Sequence, residues 1–194
     1  MIYPYSDYVV KLTKADNEQI IQSTTHVSNG SAQDLWRYGK MDLERYTQKA
    51  QQAILAAQQI AQDMHHATIE PEHLLFALVR QSEGVVPAIV NRIAGSSQLL
   101  ADELEKELGS RPKMHGGNGQ VGVARATAKL LASSENQAMA MKDDYVSTEH
   151  ILLAFAAGPE ADRLRQFGIT PDSILHLIDP CIFATLPIFS LKRF

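Results

Sequence analysis

The chain has 194 residues, of which 45% are hydrophobic and 21% charged, and its formal net charge is −4 at pH 7. This composition allows a buried core and excludes a wholly disordered chain, and the acidic balance argues against a nucleic-acid partner because no basic face dominates. The single cysteine, Cys181, excludes an intrachain disulfide and a cysteine-rich zinc site.

No targeting or membrane signal is legible in the sequence. The first residues, MIYPYSDYVVKLTK, lack a basic segment followed by an apolar one, so no secretory signal is predicted. No stretch supplies the roughly 18 consecutive apolar residues of a membrane span. We therefore expect a cytoplasmic protein without a membrane partner.

The first helix is predicted to follow a flexible N-terminal extension. Residues 1–40 have no helical or strand period and are rich in Ser, Thr and Gln, which is typical of a flexible extension. From Leu43 to Met64, apolar residues recur at intervals of three and four. That spacing predicts an amphipathic helix of about five turns.

Three shorter helices are predicted next. EPEHLLFALVR has Pro71 in its first turn, where the missing N–H costs nothing, and Gly84 as its stop. VVPAIVNRI ends near Gly95, and QLLADELEKEL follows a Ser96 or Ser97 cap and closes at Gly109. Residues 109–122 are glycine-rich and are predicted to be a linker.

After the linker the pattern starts again with an offset of 77 residues, which places His150 on His73. EPEHLLFAL then aligns with STEHILLAF, and the turns AGSS and FGIT match past a shortened loop. The second copy predicts helices near 123–141, 147–156, 160–167 and 171–178. A duplicated unit of this kind packs its two similar faces about a pseudo-twofold axis, so the expected fold is all-α, with eight helices and no sheet.

These boundaries divide the chain into an extension, a repeat domain over 41–178 and a tail. Within the domain, repeat one covers 41–108 and repeat two covers 123–178, on either side of the linker. The tail over 179–194 is apolar, contains two prolines and fits neither repeat. Two interpretations of it stay open: a non-native end, or an apolar strap on the domain.

The sequence resembles the N-terminal domains of Clp chaperones. The resemblance lies in MDLERYTQKAQQAILAAQQIAQDMHHATIEPEHLLFAL and in its partial return, YVSTEHILLAF. The linker HGGNGQV and the FGIT turn are more similar to ClpB-type disaggregases than to ClpC-type unfoldases. A Clp motor also needs the phosphate-binding sequence G-x-x-x-x-G-K-[ST], which is absent from the 194 residues.

The resemblance implies a substrate- or adaptor-binding domain of a ClpB-type chaperone, without its own ATPase and without enzymatic activity. The implied partners are unfolded or aggregated polypeptide, phosphoarginine-tagged polypeptide as an open alternative, and a Clp ATPase or adaptor protein. A second interpretation is a stand-alone structural or regulatory subunit that docks on a Clp protease or motor.

The resemblance also implies binding residues. Glu72 and Glu149 are at matching places in the first turns of their helices, where a carboxylate also complements the helix dipole. In ClpC-type relatives the matching glutamates pair with the guanidinium of phosphoarginine, and a threonine matching Thr47 helps to hold the phosphate. The second repeat has Ala124 in place of that threonine, which puts a second phosphoarginine site in doubt.

In ClpB-type relatives the matching region is a shallow groove for extended apolar segments. The positions along it are Thr47, Asp143, Tyr145 and Glu149, and Tyr145 with Val146 could equally be interhelix packing. We predict that these residues, with Glu72, form the substrate-binding site.

A metal, cofactor or catalytic group is not predicted. His65, His66, Glu70 and His73 are close in sequence, but they straddle a helix–loop–helix join without a recognised ligand spacing. A solvated loop and a histidine at a helix start explain them better. No Ser-His-Asp or Cys-His arrangement is legible.

Overall fold

A computed structural model describes residues 43–114 and 121–178. The predictions for residues 1–40, for 115–120 of the linker and for the tail lie outside the described residues and stay predictions. The described residues form eight α-helices: α1 Gln48–Asp63, α2 Pro71–Val79, α3 Val85–Ala94, α4 Ser97–Ser110, α5 Arg125–Met141, α6 Thr148–Ala157, α7 Ala161–Gln166 and α8 Pro171–Ile178.

The predicted all-α fold with two four-helix repeats is confirmed. Within the repeats, α1 packs on α2 and α5 on α6, and across them α1 packs on α6 and α2 on α5. All nine residues of α2 are buried, and so are nine of the ten in α6. A helix that is apolar all round belongs at the centre of a domain, so these two helices form the middle of one shared core. No helix in the described part of the chain is long and apolar enough to cross a membrane.

The start of the first helix differs from the prediction. Leu43–Arg45 form a 3₁₀ turn, and α1 begins only at Gln48. Tyr46 is extended because its backbone pairs with Val146 of the second repeat. Thr47 is the N-cap, and its hydroxyl accepts the N–H of Ala50 at 3.4 Å. The apolar period continues through this break because Tyr46 is buried in the core even though it is not helical.

Gly84 was predicted to end α2, and this prediction was wrong. That helix ends at Val79, and Gly84 is instead the N-cap of α3. A side chain at Gly84 would have its Cβ 3.0 Å from Cδ of Pro87, which explains a glycine there by space. The predicted end of α3 at Gly95 is confirmed, since Gly95 has φ +80° and caps the helix in the left-handed conformation.

The prediction of no sheet was wrong, because two short parallel pairings join the repeats. Strand β1 (Thr68–Ile69) pairs with β2 (Gly122–Val123), with Ile69 opposite Val123, and Tyr46 pairs with Val146. The repeat offset of 77 residues makes Tyr46 equivalent to Val123 and Ile69 equivalent to Val146, so the two pairings are equivalent to each other. In each repeat, the residues just before the N-caps of the first and second helices therefore pair with the opposite repeat. Such short pairings leave no alternating pattern in the sequence.

Candidate functional site

Helices α2 and α6 begin with the same cap. Nδ1 of His73 accepts the backbone N–H of Glu70, and Nδ1 of His150 accepts that of Ser147, both at 3.0 Å. Each histidine is the third residue of its helix and replaces the usual glutamate of a capping box. This cap fixes the first turn of each helix. The residue just before the histidine is a glutamate in both repeats, Glu72 in α2 and Glu149 in α6.

The crossed pairings make each site from both repeats. Thr47 N donates to the carbonyl of Val146 at 2.9 Å, so the start of α1 adjoins the start of α6, where Glu149 lies. At the equivalent place in the other repeat, the N–H of Ala124 donates to the carbonyl of Ile69 at 3.1 Å. One composite site therefore combines a threonine with Glu149, and the other combines an alanine with the glutamate of α2.

The Glu149 site has a buried carboxylate. Glu149 is 9% exposed, and its Oε2 accepts the hydroxyl of Thr148 at 3.1 Å. No Lys, Arg or His nitrogen lies within 4.0 Å of this carboxylate in the part of the chain that the structure describes. Removing a charged carboxylate from water without a cation is costly. This site therefore favours a positively charged group.

Two further predicted residues, Asp143 and Tyr145, lie in the turn that joins α5 to α6 and precedes Glu149. Asp143 is half-buried, and its Oδ2 lies 3.1 Å from Nε2 of the buried His150, although the pair does not have hydrogen-bond geometry. Tyr145 is 46% exposed, which makes it one of the larger apolar groups on the surface and argues against the packing role considered for it. Val146, in contrast, is buried in the core. We call Thr47, Asp143, Tyr145 and Glu149 the open site.

Glu72 has a different environment. Its Oε1 lies 2.8 Å from Nη2 of Arg111 and 3.6 Å from Nη2 of Arg163, while its Oε2 is buried without a hydrogen-bond partner. Arg163 also contacts Glu107 and Glu160. Burial and the charge of Glu72 raise the pKa of Glu160, and Arg163 opposes that rise. We call Glu72 with its two arginines the closed site.

The structure places Thr47 against Val146 and Asp143 against His150, at the start of α6 where Glu149 lies, and it places Glu72 at the equivalent position of α2. The sequence analysis missed Arg111, which follows α4, and Arg163, which lies in α7. Nothing in the local spacing of either residue indicates a contact with α2. The sequence analysis also missed the partners of the two capping histidines. The repeat offset of 77 residues could have indicated those partners, since it makes Asp143, which contacts His150, equivalent to His66, which contacts His73.

The histidine cluster proves to be a buried pair. Nδ1 of His66 lies 2.7 Å from Nε2 of His73, and the two rings are edge to face with centroids 5.0 Å apart. Glu70 accepts the hydroxyl of Thr68 at 2.7 Å. Within residues 43–114 and 121–178, no group of three or more His, Cys, Asp or Glu side chains could hold a metal ion.

Comparison with known proteins gives a consistent picture. Residues 45–167 match the family model of the Clp repeat (R) N-terminal domain. The chain is 34% identical over 146 residues to the chaperone protein ClpB of Nitratidesulfovibrio vulgaris, covering 72% of this chain and 17% of that protein. It is 35% identical over 144 residues to ClpB of Clostridium tetani, covering 71% of this chain and 17% of the relative. The chain thus spans about a sixth of the length of these relatives.

Solved structures agree on the fold. The N-terminal domain of the ClpV1 ATPase from enteroaggregative E. coli superposes with a TM-score of 0.63 at 23% identity, covering 73% of this chain and 88% of that one. The Hsp104 N-terminal domain from Candida albicans gives 0.59 at 21% identity, covering 66% and 85%.

Proposed function

Because this chain belongs to the family of Clp repeat N-terminal domains, we propose that it binds segments of unfolded polypeptide, or of an adaptor protein, at the open site. The Clp N-domain is a binding module and not a catalytic one. The binding would serve a ClpB-type ATPase in the cytoplasm, in keeping with the relatives named as ClpB chaperones.

The observation that carries this proposal is the buried carboxylate of Glu149, which has no cation within 4.0 Å in the described part of the chain, together with the exposed ring of Tyr145 in the turn that precedes its helix. A peptide that brings a guanidinium or ammonium group supplies the missing cation, and Arg can do so through a bidentate contact. Tyr145 offers apolar area to a neighbouring side chain of the same peptide. An extended segment with mixed basic and apolar character therefore fits this surface.

The expected affinity is low. The open site is a surface feature, and an unfolded segment loses chain entropy when it is held there. A dissociation constant on the order of tens of micromolar corresponds to about −6 kcal/mol and is adequate for a chaperone that samples many clients. A solved structure similar in fold to this chain includes a peptide from the SciI protein of enteroaggregative E. coli, which is consistent with peptide binding by this fold.

Phosphoarginine is the alternative ligand for the same residues. Glu149 would take its guanidinium, and the hydroxyl of Thr47 would contact its phosphate. The closed site lacks that hydroxyl because Ala124 is there, and its glutamate is already paired. If phosphoarginine is the ligand, the open site alone should hold it.

A structural or regulatory subunit on a Clp protease or motor is the second candidate. Met139 and Met141, at the end of α5, are 57% and 38% exposed, which favours contact with another protein outside the open site. A pull-down separates the two candidates. Recovery of unfolded client supports the first, and recovery of protease or motor subunits without client supports the second.

The direct test is an NMR titration of the full chain with a short extended peptide in which leucine and arginine alternate. Backbone amides of Thr47, Tyr145 and Glu149 should shift in a saturable way. A matched peptide of leucine and glutamate should leave them unchanged. Shifts confined to Met139 and Met141, or no shifts at all, would contradict the proposal.

A further inference from the structure

Glu72 and Glu149 are at equivalent positions, yet within the described residues Glu72 alone is paired with arginines. We propose that Arg163 and Arg111 are built-in occupants of the Glu72 carboxylate, so that the chain presents one cation-accepting site and not two. The contacts of the two arginines support their occupancy of the Glu72 carboxylate. The effect of this occupancy on the number of bound ligands rests on the proposed function.

Arg163 contacts the carboxylate of Glu107 through both of its terminal nitrogens. It is 17% exposed, and its guanidinium makes a two-pronged contact with Glu107 of α4, at 2.5 Å from Nη1 to Oε2 and 2.9 Å from Nη2 to Oε1. This contact holds Nη2 at 3.6 Å from Oε1 of Glu72. A planar guanidinium that contacts one carboxylate through both terminal nitrogens is restricted in its rotation. Arg163 is therefore a positioned group and not a loose surface side chain.

Arg111 completes the charge balance from the other side. Its Nη2 lies 2.8 Å from the same Oε1 of Glu72, and its side chain is 31% exposed. A cationic ligand at Glu72 would have to displace both arginines. Displacing Arg163 would leave a mostly buried guanidinium without this partner, which is costly in the protein interior. The closed site therefore resists a ligand that the open site accepts.

The first repeat has no counterpart of Arg163. The alignment of the turns AGSS and FGIT places Val90, on α3, at the matching position. Val90 is fully buried on α3, which packs against α6, the helix that contains Glu149. A valine cannot neutralise a carboxylate. The change from Arg163 to Val90 therefore removes one of the two arginine contacts that distinguish the Glu72 carboxylate.

The first experiment counts ligands. Calorimetry with the leucine–arginine peptide should give one site per chain for the wild type and two for the full chain carrying Arg111→Ala and Arg163→Ala. Adding Glu72→Gln to that variant should return the count to one. The control is Arg165→Ala, which removes an exposed arginine of the same helix and should leave one site. A folded double variant that still binds one peptide overturns the proposal.

If the double variant does not fold, Glu72→Gln in the otherwise unchanged chain decides. It should leave the peptide count and affinity unchanged, whereas Glu149→Gln should abolish binding. Loss of a peptide site on Glu72→Gln would show that Glu72 is open to ligand and would overturn the proposal.

A second experiment tests the occupancy without any peptide. Arg163→Ala should lower the melting temperature, and millimolar methylguanidinium should restore part of the loss or restore folding. The restoration should disappear in Arg163→Ala with Glu72→Gln. If the wild type binds no peptide but this restoration occurs, the proposed function fails and the occupancy stands. No restoration, or restoration that does not need Glu72, overturns the occupancy.

Discussion

His66 and His73 share a buried hydrogen bond of 2.7 Å in which the ring of His73 is the donor. The direction follows from the cap, since Nδ1 of His73 accepts the N–H of Glu70 and the proton of the neutral ring must therefore be on Nε2. Nε2 of His66 then carries a proton and is buried without a hydrogen-bond partner. Neither ring has a free acceptor for a second proton.

This pair makes the domain sensitive to acid. Burial, followed by the charge of His66, lowers the pKa of His73 from 6.5 to about 4, and burial with the charges of Arg111 and Lys113 lowers the pKa of His66. The unfolded chain binds more protons than the folded one between these pH values, so the free energy of unfolding should fall as the pH is lowered from 6.5 to 4. Urea unfolding at a series of pH values measures this slope.

Two variants control the acid experiment. His66→Asn removes one titrating ring from the pair and should reduce the slope. His176→Asn changes an exposed histidine on α8 and should leave it unchanged. A wild-type stability that is flat over this range would contradict the assignment.

The buried hydroxyl of Tyr46 links the two repeats. It donates to Oε1 of Glu135 at 3.1 Å, and burial together with that carboxylate raises the pKa of the phenol. Tyr46→Phe should reduce the free energy of unfolding by about 1 kcal/mol, because a buried hydrogen bond is lost without loss of apolar area. Denaturant unfolding at neutral pH measures it. Tyr145→Phe, at an exposed ring, should be neutral, and equal effects of the two changes would contradict this role.

A left-handed lysine ends α5 at a position where glycine is preferred. Lys142 has φ +62°, and His65, at the same repeat position, has φ +60°. Lys142→Gly should stabilise the domain by about 0.5–1 kcal/mol, because the left-handed conformation costs a residue with a Cβ more than it costs glycine. A thermal melt should show a higher midpoint. Lys106→Gly, inside α4 and exposed, should instead destabilise by about 1 kcal/mol, and destabilisation by Lys142→Gly would contradict the strain argument.

Peptide binding should respond differently to changes at Tyr145 and Glu149. Tyr145→Ala should weaken binding of an apolar peptide, because the exposed ring supplies the contact area. Glu149→Gln should matter more for a basic peptide, since it removes the charge and keeps the shape. Fluorescence anisotropy with labelled peptides measures both, and Leu99→Ala, at an exposed leucine of α4, is the control. Equal losses for both peptides in both variants would contradict separate apolar and charged contacts.

Phosphoarginine competition distinguishes the two ligand classes. If free phosphoarginine displaces the peptide, Thr47→Ala and Glu149→Gln should both weaken the competition, whereas Glu72→Gln should not. The competition is measured as recovery of free-peptide anisotropy. Competition that depends equally on Glu72 and Glu149 would contradict a single open site.

The predicted fold followed from two signals that local sequence carries well. The period of Leu43 to Met64 and the doubled EPEHLLFAL and STEHILLAF segments predicted the helices and the symmetry. The break before Gln48 was not predictable, because Tyr46 keeps the helical period while its backbone pairs with Val146 more than ninety residues away. Gly84 was misassigned because glycine both ends helices and precedes them.

The site was predictable only where repeat equivalence or the family resemblance applied. Glu72 and Glu149 were found as a pair, yet their different pairing was not, since it depends on Arg163 reaching from α7 to α2. Ion pairs between distant elements leave no period in the sequence. The proposed composite of Thr47 with Glu149 likewise depends on the crossed pairing of the repeats.

The two reciprocal pairings, Tyr46 with Val146 and Ile69 with Val123, are those of an isologous dimer whose protomers have been fused into one chain. In a true homodimer, a substitution at one glutamate site would appear at both. Fusion removes that constraint, so each half can diverge alone. Three differences are of this kind: the arginines at Glu72, the lack of a paired cation at Glu149 among the described residues, and the presence of His66 in one repeat where the other has Asp143. Under the proposed function, they make a symmetric scaffold bind its ligand on one side.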